Sequence, residues 1–288
     1  MKLKSVVHFK RTPLALAPDD LSEAINRYTS WTSRIVNDAG AMKDLPSGTV
    51  VHFHNQFAEY DGPQLIQYHS EPENRNCMSP SAFPETPNYR LVIAQYHATL
   101  PEYSGCHVVR NLINFKQPLF DLNPTNTPRI GYSPSTKFRI NRWFDKGYEE
   151  TVRILERISH SLDVEIDVIT DVAYDECIRR KSACSILIDE CKTGSYHRCA
   201  LESLALGKIT VCYVSPAVDS VVHSVTGEFL PVTNSRLDQL EETLINSIIQ
   251  PPAVLQFIGA ESRRWMEEHW HPQNIVDDFI QHYERVVG

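Results

Sequence analysis

The stretch from Ile188 to Lys208, IDECKTGSYHRCALESLALGK, carries the residues with the most definite chemistry. An apolar run, CSILID, ends at Asp189, a loop with Gly194 and Ser195 follows, and a helix is expected from near Tyr196. The backbone N–H groups of such a loop and the positive end of the helix dipole suit a phosphate. Gly194, Ser195, Tyr196 and His197 are therefore candidate contacts to one. Glu202 falls about two turns into the helix, where its carboxylate can accept hydrogen bonds from both hydroxyls of a ribose. The plain alternative for Glu202 is a solvated helix glutamate.

Upstream, GYSPSTKFRINRWFDKG holds Ser133, Ser135, Lys137, Arg139, Arg142 and Lys146. This is a local cationic patch in an acidic chain, placed between a strand and a helix. Cations there would stabilise negative charge building on a departing diphosphate. The plain alternative for Lys146 is a solvated surface lysine. Nearer the N-terminus are His52, His54, His69 and His97, three of them at strand ends in HFHN, YHSEP and QYHAT. Strand ends on one edge of a parallel sheet form a ligand crevice. Metal binding by this set is the first alternative, but no carboxylate partners sit at ligand spacing. Asn55 and Glu71 stand beside these histidines, and Lys10 and Arg11 follow the first strand. No carboxylate pair of glycosidase type is evident.

These groups need a scaffold, and the pattern supplies one. In the first half LKSVVHF reads as a strand and DDLSEAINRYTSWTSRIVNDAG as a helix, acidic at its start and closed by glycine. Then TVVHFHN, PQLIQYHS, YRLVIAQYH and CHVVRNL read as strands. Asn114 to Pro128 is proline-rich and reads as a linker. The second half alternates more clearly: RIGYSPS, VEIDVIT, CSILIDE, ITVCYV and FLPV as strands, with amphipathic helices between and after them. Alternation of this kind implies parallel sheets covered on both faces. No glycine-rich dinucleotide fingerprint, Walker motif or solenoid repeat is present.

The bulk properties agree. The 288 residues fit two small domains, and a 42% hydrophobic, 22% charged composition is ordinary for a globular chain. No apolar run approaches the ~20 residues needed to span a bilayer, and none near the N-terminus is long enough for a signal peptide. The net charge of -8 argues mildly against a nucleic-acid partner, though Lys2, Lys4, Lys10, Arg11, Arg27 and Arg34 are a local basic source. The seven cysteines lack the tight pair spacing of a zinc site and read as reduced thiols of a cytoplasmic protein.

ALESLALGKITVCYV, preceded by a Gly-Ser-Tyr turn, resembles the donor-site helix of retaining glycosyltransferases of the GT-B fold, the group one, family-four type. RIGYSPST followed by Lys146-Gly147 resembles that family's strand, loop and Lys-Gly segment, and VVRNLIN resembles the end of its N-terminal domain. The likeness covers most of residues 50–285. It implies an α/β chain of two Rossmann-like domains with parallel sheets facing across a cleft. Residues 1–120 would form the acceptor domain, 121–270 the nucleotide-sugar donor domain, and 271–288 a helix returning to the first. It implies transfer of a sugar from a nucleotide-sugar to an acceptor hydroxyl, with retention and no metal or cofactor, the acceptor a surface glycan or lipopolysaccharide. Donor contacts would be Ser133, Ser135, Lys137, Lys146, Gly194, Ser195, Tyr196, His197 and Glu202. His69, with His54 second, would meet the transferred sugar, and Lys146 the diphosphate. Lys10, Arg11, Asn55 and Glu71 would meet the acceptor.

One departure stands out: the family has a glutamate eight positions before Glu202, and here that position is Gly194. Two rival expectations follow from other classes. One is a transferase acting on nucleic acid bases, and the other a non-catalytic nucleotide or glycan binder of the same fold. A cytoplasmic location is expected, with peripheral membrane association as an alternative; oligomeric state has no sequence signature here.

Overall fold

The computed structural model describes residues 4–12, 14–123, 127–134, 137 and 145–288. Ser135, Arg139 and Arg142 of the cationic patch, and Lys2 of the basic N-terminus, lie outside the described residues. The chain divides into two compact units, Met1–Asn114 with Trp270–Gly288, and Phe115–His269.

Unit 1 contains β1 (Ser5–Phe9), α1 (Ala17–Tyr28), β2 (Thr32–Val36), β3 (Val50–His54), β4 (Gln64–Tyr68), β5 (Arg90–Ile93) and β6 (His107–Val109). The strands form one parallel sheet in the order β2-β1-β3-β4-β5-β6. Val7, Phe9, Phe53, Ile66, Tyr68 and Val92 form the buried core of one face.

The single long helix expected from Asp19 to Gly40 is instead a helix and an edge strand. Pro18 near the start, Asp19 and Asp20 in the first turn and Arg27 in the last all favour α1. Thr29 then stops it, its N–H and its hydroxyl both bonding the carbonyl of Ile25. The run after it, TSRIV, is rich in β-branched residues and pairs with β1.

Unit 2 contains β7 (Arg129–Tyr132), α2 (Tyr148–Ser161), β8 (Glu165–Val168), α3 (Tyr174–Ser182), β9 (Ile186–Ile188), α4 (Arg198–Ala205), β10 (Ile209–Cys212), α5 (Pro216–Thr226), β11 (Thr233–Asn234), α6 (Leu240–Ile248) and α7 (Pro252–His269). Its sheet is also parallel, in the order β11-β10-β9-β7-β8. The strand expected at FLPV forms directly after it, at Thr233–Asn234. Pro272 ends the long C-terminal pattern as expected, and opens α8 (Pro272–Val287). That last helix belongs to unit 1, packing on α1, β3 and β4.

In both sheets the first strand has its second on one side and its third on the other. The chain therefore reverses direction between β1 and β3, and again between β7 and β9. Open parallel sheets bind ligands outside the carboxyl ends of the strands at such a reversal.

Candidate functional site

In unit 2 the β7/β9 reversal is flanked by the loops before α2 and before α4, which hold Lys146 and residues 189–197. Two acids missed by sequence reasoning organise the second loop. Glu190, 2% exposed, accepts from the N–H groups of Lys192 (2.8 Å) and Thr193 (2.9 Å) and from the Thr193 hydroxyl. Asp189 accepts from the N–H of His197 at 2.6 Å, and the His197 Nδ1 lies 3.4 Å from the same oxygen. The loop is thus pre-shaped by buried carboxylates, and of the expected phosphate contacts the His197 N–H is already engaged. The helix begins at Arg198, two residues later than expected, because His197 is held extended at its cap.

Lys146 belongs to the same cluster. Burial would raise the Asp189 carboxyl, but His197 and then Lys146 outweigh it and hold it below its ordinary range. Lys192 bonds Asp145 at 2.6 Å, tying the two loops together. Gly147, with φ +72°, lies against Leu237 and the Lys192 stem. Gly194 has φ +83°, a conformation costly for any residue with a Cβ, and a Cβ there would stand 3.1 Å from the Tyr213 ring. A glutamate, which the resembled family has at this position, would therefore be strained in this loop.

The other candidates in unit 2 are engaged in different ways. Lys137 pairs with Asp171 at 2.6 Å, on the loop after β8. Ser133 faces the Cys177 thiol at 3.4 Å. Ser195 and Tyr196 are buried, the Ser195 hydroxyl reaching the Tyr196 carbonyl.

Glu202 is only 4% exposed, so the solvated reading fails. Its Oε2 accepts from Lys181 Nζ at 2.6 Å; its Oε1 accepts from Arg198 Nε at 2.8 Å and from the Tyr174 hydroxyl at 3.1 Å. Burial pushes this carboxyl up, and the Lys181 and Arg198 charges more than reverse it. Lys181 and Tyr174, both from α3, carry no local sequence signal; only the fold brings them to α4.

In unit 1 the β1/β3 reversal holds a cluster of imidazoles. The sequence repeats VVHF in β1 and β3, and the parallel register pairs His8 with His52. That repeat was the available signal for His8, which residue-by-residue reasoning missed. His8 Nδ1 lies 2.9 Å from His54 Nε2, and His54 Nδ1 lies 2.9 Å from His69 Nε2. His52 stacks on His54 at 4.1 Å and bonds the Tyr283 hydroxyl at 2.9 Å. Burial, with the Lys10 charge acting the same way, pushes His8 down to about 3. Burial alone pushes His69 down to about 3, and it also holds His52 and His54 well below their ordinary value.

Asn55 clamps the end of β4: its Oδ1 accepts from the His69 N–H at 2.7 Å and its Nδ2 donates to Ser70 Oγ at 2.8 Å. Glu71 is buried, accepting from the Tyr96 hydroxyl at 3.1 Å, with His97 Nε2 4.0 Å away. Lys10 pairs with Asp19, and the Arg11 guanidinium sits over the Phe9 ring. Just beyond them Leu14, Ala15 and Leu16 all have positive φ, a strained turn at the carboxyl end of β1.

No protein-family model matches the chain, and no curated protein matches it. Among solved structures it is similar to a glycosyltransferase from Rickettsia africae, with TM-score 0.60 and 12% identity over 100% of this chain and 99% of the other. It is similar to sucrose-phosphate synthase from Thermosynechococcus elongatus, with TM-score 0.62 and 14% identity over 98% and 99%. Anabaena HepE in complex with UDP-glucose gives TM-score 0.60 and 10% identity over 98% and 99%. The chain has the GT-B fold. Both Rossmann-like units of a GT-B chain are thus present, and the match runs nearly end to end. No helix among the described residues is long and apolar enough to cross a membrane.

Proposed function

We propose that this chain is a glycosyltransferase that takes a sugar from a nucleotide-sugar and passes it to an acceptor hydroxyl. One observation supports this most. The β7/β9 reversal gathers Lys146, the Gly194–His197 loop and the Glu202 network, in a chain with the fold of HepE, which was solved with UDP-glucose.

In this reading unit 2 holds the donor. Lys146, with Lys137 and Ser133 from the same loop, serves the diphosphate, where a cation matters most as the leaving group gains charge. Glu202 serves the ribose through Oε1, the hydroxyls replacing Arg198 and Tyr174, while Lys181 keeps Oε2. Gly194, Ser195, Tyr196 and His197 shape the loop against the sugar phosphate. Unit 1 supplies His69 and His54, with Lys10, Arg11, Asn55 and Glu71 toward a glycan acceptor. Transfer proceeds with retention, the departing diphosphate taking the proton of the incoming hydroxyl on the same face, so neither a protein nucleophile nor a metal is needed.

Stability measured against a panel of nucleotide-sugars, followed by donor hydrolysis without acceptor, tests the reading. A ligand that binds only the folded chain raises its melting temperature. One donor should do so and release free sugar slowly; no shift and no hydrolysis across the panel would overturn the proposal.

A further inference from the structure

Unit 2 has a further cavity at the opposite end of its sheet from the candidate donor site. Ser185 and Lys208 stand just before β9 and β10, at the amino ends of the strands, whereas Lys146 and the loop before α4 lie at the carboxyl ends. The cavity measures about 170 Å³ and is walled by Leu122, Asn123, Ser185, Leu206, Leu255 and Ala260, together with Lys208. Two glycines set its shape. Gly207 has φ +66°, and a Cβ on Gly259 would stand 2.1 Å from the Gly207 carbonyl oxygen. Helix α7 therefore meets the end of α4 backbone to backbone beside the cavity.

Lys208 is the unusual member of this wall. It is only 3% exposed. An ammonium has three N–H donors and a full charge. Among the described residues the Lys208 side chain makes one hydrogen bond, to the Asn123 carbonyl at 2.7 Å. Lys181, equally buried, has the Glu202 carboxylate, whereas no carboxylate acts on Lys208. A buried cation with only a neutral partner is costly unless an anion joins it. Burial accordingly pulls the Lys208 amine down to about 8. The one titratable group acting on it is the Cys184 thiol, which burial pushes up to about 11. On α7, Arg263 is turned to the carbonyls of Phe120 and Ala205 and pairs with Glu267, and on the linker Asp121 is exposed.

The walls select the rest of the ligand. A phosphate would bring two charges to one cation among leucines and leave much of its hydration unreplaced. A monoanion with an apolar body can set its charge at Lys208 and its body against the leucines. An apolar cavity of about 150 Å³ takes a molecule the size of benzene, so the space suits a short-chain acid. Leu122 is 55% exposed and Asn123 is exposed beside it, so this wall opens to solvent. We propose that the cavity binds a small amphiphilic carboxylate, its acid group accepting from the Lys208 ammonium and its apolar body lying against Leu122, Leu206 and Leu255. The site is separate from the donor loops and does not depend on the glycosyltransferase reading.

Hexanoate is the probe, with 1-hexanol as its neutral counterpart and inorganic phosphate as the bare anion. Calorimetry on the full chain should give hexanoate a Kd of about 1 mM or tighter. Methyl spectra of leucine-labelled protein should show Leu122, Leu206 and Leu255 moving with it. Hexanol should bind at least about tenfold more weakly, the loss expected for a charged hydrogen bond. Phosphate at the same concentration should not displace hexanoate. Only the protonated amine holds the carboxylate, so affinity should be full below pH 8 and fall by up to about tenfold per pH unit above it.

Lys208→Met should weaken hexanoate at least about tenfold. Ala260→Leu, at an exposed position of α7, should fill the cavity and abolish binding with the lysine still in place. This second variant decides the matter if Lys208→Met does not fold. No hexanoate binding by wild type, equal binding of hexanol, displacement by phosphate, or unchanged hexanoate affinity in either folded variant would overturn the proposal.

Discussion

The two units reach the same topology and bury opposite electrostatics at equivalent places. At the β1/β3 reversal the polar groups packed together are mainly imidazoles, His8, His52, His54 and His69, with one buried carboxylate, Glu71, close by in sequence. At the β7/β9 reversal they are carboxylates, Asp189, Glu190 and Glu202, and cations oppose Asp189 and Glu202. A parallel sheet provides the crevice in either case; what differs is the charge that the crevice can tolerate. Fixed ion pairs can exchange one partner for a charged diphosphate or a ribose. A neutral ring array suits neutral hydroxyls and resists the entry of a charge.

Acidification should separate the units most strongly. The four rings have folded pKa values below the ordinary 6.5, so their contribution is full above pH 6.5 and is lost as the pH falls. Each ring lost in this way costs up to about 1.4 kcal/mol per pH unit. Glu202 and Asp189 are depressed carboxyls, and their contribution persists until the pH drops below the ordinary carboxylate range. Hydrogen exchange at pH 7 and pH 5 should therefore show unit 1 losing protection while unit 2 keeps it. Equal losses in both would break the comparison.

Truncating Glu202 to alanine should destabilise unit 2 by about 3–5 kcal/mol, because it leaves the Lys181 ammonium buried without its partner. Denaturant unfolding would measure this, and Lys181→Met with Glu202→Leu together should recover most of the loss. A single Glu202→Ala variant as stable as wild type would mean that the pair holds nothing together.

Gly194→Ala should cost about 1–2 kcal/mol, since alanine must adopt the left-handed backbone close to Tyr213. A neutral outcome by the same method would show that the loop can relax, and would reopen the reason for the missing glutamate. Smallest of all, Tyr174→Phe removes one donor from Glu202 Oε1 and should change stability by less than about 1 kcal/mol. It should leave nucleoside diphosphate affinity equal or slightly tighter, as calorimetry can test; a large loss would make Tyr174 itself a ligand contact.

Strand–helix alternation made the two-unit α/β architecture legible, because apolar period and turn residues act locally. It failed at Thr32–Val36, where an amphipathic helix pattern ran on into β-branched residues and only pairing with β1 separates the two. In the candidate site Lys146 and the loop before α4 were legible from glycine, serine and lysine at a strand–helix junction. The partners of Glu202 were not, since Lys181 and Tyr174 meet it only through packing of α3 on α4. His8 was half-legible: the repeated VVHF names it, but its contact with His54 depends on the register of β1 and β3.

The central claim is that unit 2 holds a nucleoside diphosphate through the loop that carries Lys146. Titrating the wild-type chain and Lys146→Ala with nucleoside diphosphates by calorimetry tests it most directly. Wild type should bind one of them, and the variant should bind it about 10–100-fold more weakly, the loss expected for a charged hydrogen bond. Equal affinity in a folded Lys146→Ala protein, or no binding by wild type to any of them, would contradict the account.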